Sequence, residues 1–125
     1  GLQASAVAAS RDAKYRTDAG LLANELIGQM WSGDRRGNQL QANFQGDGAT
    51  DCTPDPPVTA YCAWRLRVVA DLPGAATNAT TLPLVTVTPG VPGPPQTSTR
   101  VSIRLRWMPP NTTVPHQYLV VFEIV

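Results

Sequence analysis

The stretch GLQASAVAASRDAKYRTDAGLLANELIGQMWS, residues 1–32, decides the fold. Apolar side chains recur at Tyr15, Ala19, Leu22, Ala23, Leu26, Ile27 and Met30, in steps of three and four. That spacing lines them up on one stripe of a helix. Arg11, Asp12, Lys14, Arg16, Asp18, Asn24 and Glu25 fall on the opposite, solvated side. Upstream the chain is mostly small: Ala4, Ser5, Ala6, Ala8, Ala9 and Ser10. Alanine is the best helix former, so this lead-in can stay helical without a core to pack on. The pattern predicts one helix over 1–32, about 45–50 Å long. The rest of the chain is too small to cover that length. A helix that overhangs its domain continues into, or docks onto, something else; a fraying Ala-rich terminus is the bland alternative.

Working outward, Gly33-Asp34-Arg35-Arg36-Gly37-Asn38 is a helix stop and turn. Residues 33–60 read as an irregular loop, poor in apolar groups apart from Leu40, Phe44 and Val58. Residues 58–72 are ambiguous. Period two puts Trp64, Leu66, Val68 and Ala70 on one face; period 3.6 puts Tyr61, Trp64, Val68 and Leu72 there. Pro73-Gly74 ends either element.

Residues 82–125 read as an antiparallel sheet with Pro-rich loops. Residues 82–88 form a short strand that Pro83 marks as an edge or delays to Leu84. Residues 100–107 alternate cleanly, Val101, Ile103, Leu105 and Trp107 inward and Arg100, Ser102, Arg104 and Arg106 outward. In residues 118–125, Tyr118, Val120, Phe122 and Ile124 share a face, and Leu119, Val121 and Val125 suggest partial cover on the other. Helix first and sheet last gives an α+β fold of about three or four strands, with the helix stripe packed on the sheet. At 125 residues the chain makes a single domain, 1–125.

Cys52 and Cys62, an even pair flanking a Pro-rich loop, predict a disulfide in an oxidising compartment, with two buried thiols as the alternative. Such a bridge is worth about 3 kcal/mol through the unfolded chain. Ten Lys plus Arg against nine Asp plus Glu give a net charge of +1, no footprint for nucleic acid. No apolar run of about eighteen residues is present, so no segment reads as membrane-spanning. With one histidine, His116, no Gly-rich phosphate loop and no nucleophile elbow, the chain carries no catalytic set, so an enzyme is not expected. Asp47, Asp51 and Asp55 lack the alternating ligands of a calcium loop, and neither a metal nor a cofactor is expected. Asn78 and Asn111 open glycosylation sequons. Trp31, Trp64 and Trp107 lie on apolar patterns and are expected in the core. Arg100, Arg104 and Arg106, extended by Arg65 and Arg67, make a basic stripe that could face an acidic partner or simply stay solvated.

These pieces resemble the minor pilins of type IV pili, most closely the PilV group. Gly1-Leu2-Gln3 is similar to the end of the family's membrane segment, and residues 21–26 with Met30 to its outer helical half. Trp64 with Leu72-Pro73-Gly74 resembles the family's Trp-containing second helix, which favours a short helix over 58–72. Residues 101–107 resemble its penultimate strand ending in Trp, and residues 115–118 open the last strand similarly.

The resemblance implies a non-enzymatic filament subunit whose missing apolar helix half, with a methylated N-terminus, holds it in the inner membrane before assembly. It implies a part in starting pilus assembly and in the tip complex, hence in adhesion and twitching motility. The implied partners are other minor pilins, an adhesin-like tip protein and the major pilin. The implied places are inner membrane and periplasm, then the extracellular pilus. The competing expectations are a minor pseudopilin of a type II secretion system and a secreted carbohydrate- or protein-binding module.

Overall fold

A computed structural model describes residues 2–36, 38–76, 80–91, 93–95, 97–110 and 112–125, leaving aside the side chains of 2–6. The sequon residues Asn78 and Asn111 lie outside the described residues. Helix α1 spans Leu2–Ser32, α2 Gln39–Phe44 and α3 Ala60–Asp71; strands β1, β2 and β3 span Leu84–Thr88, Thr99–Trp107 and His116–Ile124. The three strands form one antiparallel sheet in the order β1-β2-β3. The fold is therefore α+β, helices on one face of the sheet.

The core lies between the layers. Ala19, Leu22, Ala23, Leu26 and Met30 of α1 are buried, with Tyr15 and Ile27 packed at their margin. They meet Tyr61, Trp64, Val68 and Leu72 around α3, and Val85, Val87, Val101, Ile103, Leu105 and Trp107 of the sheet. Each large apolar side chain so buried contributes roughly 1.5–3 kcal/mol. Trp64 also donates its indole N–H to the Leu22 carbonyl at 2.8 Å, pinning α3 to α1.

Residues 58–72 resolve to the helical reading. Tyr61, Trp64, Val68 and Leu72 are buried at helical spacing, whereas Leu66, which a strand would bury, is 60% exposed. Thr59 caps the helix by accepting from the Cys62 N–H. Gly74 closes the turn after it in the left-handed region, φ 71°, against Met108. The Cys52–Cys62 disulfide is present and ties α3 to the loop before it.

Three sequence expectations need correction. The loop 33–60 contains α2, because Leu40 and Phe44, four apart, both reach the core. Trp31 is 47% exposed, because it falls one position past the buried Met30 and so off the stripe that faces the core; Arg35 lies over its ring at 5.1 Å. Leu119 and Val121 are 53% and 47% exposed, so the outer face of β3 lacks the expected cover.

Candidate interaction surfaces

The N-terminal part of α1 is bare. Val7 is half exposed and Ala8, Ala9, Ser10 and Arg11 are exposed. Among the described residues, the first α1 side chain hydrogen-bonded to another element is Asp12. No helix, among the described residues, is long and apolar enough to cross a membrane.

Asp12 begins a latch between α1 and the last strand. Its carboxylate accepts from His116 Nδ1 and from Arg16 Nε, the latter at 3.1 Å. Arg16 donates to the Gln117 carbonyl at 3.3 Å, and its guanidinium sits 5.5 Å from the Trp107 ring centre. The His116 ring meets the same indole edge-on at 5.9 Å. The His116 hydrogen bond, helped by Arg16, holds the Asp12 carboxyl below its ordinary value of 3.8 against a smaller opposing effect of burial. The latch fixes where α1 leaves the sheet. Nothing in the sequence spacing pairs residue 12 with residue 116; it follows from α1 crossing the start of β3.

The arginine stripe lies on the outer sheet face. Arg100 is exposed; Arg104 and Arg106 are half-buried. Arg106 donates to the Thr80 carbonyl at 3.1 Å. Partial burial, then repulsion from Arg106, lowers the Arg104 pKa, though a guanidinium stays charged at neutral pH. Arg104 sits between Leu84 and Leu119 in one cross-strand row, and Arg100 between Thr88 and Glu123 in another. Arg65 and Arg67 do not extend the stripe. Both lie on α3, where Arg65 donates to the Asp47 and Thr50 carbonyls and Arg67 pairs with Glu25 at 2.8 Å.

The two edges of the sheet differ. On β1, Val85 exchanges backbone hydrogen bonds with Gly46. Val87 donates to Gln45 Oε1 at 3.0 Å and accepts from Gln41 Nε2 at 3.2 Å. The approach at Gly46 needs glycine, because a Cβ there would lie 2.3 Å from the Tyr61 ring. On the outer edge of β3, the one capped group among the described residues is the Gln117 carbonyl, held by Arg16.

The disulfide loop satisfies itself. Asp47 accepts from the Ala49 N–H, and Asp51 from the Thr53 N–H and hydroxyl, which lowers the Asp51 pKa. No group of three metal-ligating side chains forms among the described residues. A groove of 560 Å³ runs between Lys14 and Tyr15 of α1 and Asp71 to Gly74, at the point where α1 emerges.

Comparison with protein-family models, curated proteins and solved structures finds no match.

Proposed function

We propose that the chain is the sheet-bearing part of a filament subunit of the type IV pilus kind, a minor pilin that helps start assembly and sits in the tip complex. One observation carries the reading. Helix α1 runs for 31 residues, is tied to the rest of the domain from Asp12 onward, and presents a bare, Ala-containing stretch from Val7 to Arg11. Such a helix suits a subunit whose outer half packs among the helices of its neighbours. The antiparallel sheet over the buried half and the disulfide loop fit the same design. On this reading the protein works by assembly, with no reaction of its own. It passes from the inner membrane, through a preceding apolar helix, to the extracellular pilus. The arginines of the outer face, Arg100 and Arg104 above all, are offered to an acidic neighbour.

The test is to express the full-length gene product in its native host and shear the surface filaments. The protein should appear with the major pilin in the sheared fraction, and deletion should lower piliation. Its appearance with secretion-system components instead would assign the chain to a pseudopilin. Recovery as a free secreted protein would overturn the filament reading altogether.

A further inference from the structure

The open edge of β3 specifies a partner strand, and this inference does not rest on the filament reading. Backbone direction alternates along a strand. Val85 and Val87 turn their groups to Gly46, Gln45 and Gln41, so Leu84, Thr86 and Thr88 face β2 and pair with Arg104, Ser102 and Arg100. Val101, Ile103 and Leu105 must then face β3, where they pair with Phe122, Val120 and Tyr118. The groups of Gln117, Leu119, Val121 and Glu123 are left pointing outward. The Arg16 bond to the Gln117 carbonyl agrees with this phase.

That edge is apolar on both faces. Leu119 and Val121 stand exposed on the outer face, and Tyr118, Val120 and Phe122 are half-buried on the inner one. Exposed apolar edges are ordinarily blunted by charge, proline or cover. Here β1 is blunted and most of β3 is not.

We propose that β3 pairs antiparallel with β3 of a second copy of this chain, centred on Val120. The side-chain pattern reads the same in both directions about that residue. On the outer face, Leu119 falls opposite Val121 of the second copy, and Gln117 opposite Glu123. On the inner face, Tyr118 falls opposite Phe122, an aromatic cross-strand pair in the closer, non-hydrogen-bonded position. Leu119 and Val121 exchange both backbone bonds with Val121 and Leu119 across the axis. Charge matches as well. Each Glu123 lies beside its own Arg100 and, past Gln117 of the other copy, in line with that copy's Arg106. The closed β1 edge offers no acceptor for a β3 strand, so the pairing is isologous and stops at a dimer.

Sedimentation equilibrium of the chain from about 5 to about 500 µM tests this, since a self-pairing edge makes apparent mass depend on concentration. A monomer–dimer equilibrium is expected in that range. Val121→Pro removes an N–H that faces solvent and not β2, so the variant should keep its circular dichroism and sediment as a monomer. Leu119→Lys, at an already exposed side chain, should do the same and covers the case in which proline unfolds the strand. Val120→Cys should form a disulfide-linked dimer under mild oxidation, because Cα atoms in the closer pairs are about 4.5 Å apart. A chain that stays monomeric at the highest concentration, including one that pairs only with a different protein, overturns the proposal. So does a dimer that survives both edge variants.

Discussion

The two halves of α1 carry different burdens. From Ala19 to Met30 the helix has five side chains at most 5% exposed, and its Leu22 carbonyl takes the Trp64 indole. From Val7 to Arg11 every side chain is exposed. Most helical stability in a folded domain comes from packing an amphipathic face, and isolated segments shorter than about 12–15 residues are marginal in water. The second half is thus held by tertiary contacts, while the first rests on alanine propensity and on continuity with its neighbour. The Asp12–His116–Arg16–Trp107 latch sits at the boundary. A helix divided in this way keeps one half for its own fold and leaves the other for a surface outside it.

Substitutions should expose that division, and the largest effect belongs to the buried half. Trp64→Ala removes a wholly buried indole and its bond to α1, and should lower unfolding free energy by about 3–5 kcal/mol in urea denaturation. A loss under about 1 kcal/mol would mean that α1 is held some other way. Next comes Gly46→Ala, which forces a methyl group into the Tyr61 ring and should cost about 1–3 kcal/mol, opening the capped edge of β1. At the boundary, His116→Ala should cost about 1 kcal/mol or less, because both partners of Asp12 are partly solvated. Its signature should be faster amide exchange over residues 11–16 with little change over 22–30.

The latch also sets a pH dependence. The Asp12 carboxyl is held below 3.8 in the folded chain, so it binds its proton less readily there than in the unfolded chain. Its contribution is fully present above the ordinary value of 3.8 and is lost as pH falls through the lower folded value. Asp12→Asn should flatten acid unfolding in that window, because the variant already lacks at neutral pH the small contribution that acid removes, while its stability at low pH should match that of the parent chain. The smallest effect belongs to the bare half: Val7→Glu should change stability by under about 0.5 kcal/mol. In the filament reading the same change should abolish incorporation into sheared pili.

Much of the fold was legible in the sequence because period and burial agree. The α1 stripe, the alternation of β2 and the edge position of β1 follow from residues whose two faces differ sharply in polarity. Residues 58–72 were not decided by pattern, since Trp64 and Val68 lie on the inner face under either period. The exposure of Leu66 and Ala70, with the burial of Tyr61, separates the two readings. α2 was hidden because two apolar residues, Leu40 and Phe44, make a single turn of pattern among polar neighbours. The arginine stripe on β2 lies where alternation put it, but Arg65 and Arg67 left it once their segment became a helix. The latch and the contrast between the sheet edges had no local signal. Both depend on where distant segments cross, Asp12 against His116 and Gly46 against Val85.

Hydrogen exchange along α1 tests the central claim most directly. The division predicts that amides from residue 22 to residue 30 exchange only through global unfolding. Those from residue 7 to residue 11 should exchange orders of magnitude faster, with the step at the Asp12 latch. Uniform protection from residue 7 to residue 30 in the isolated chain would contradict it, because the outer half would then be held by the domain itself.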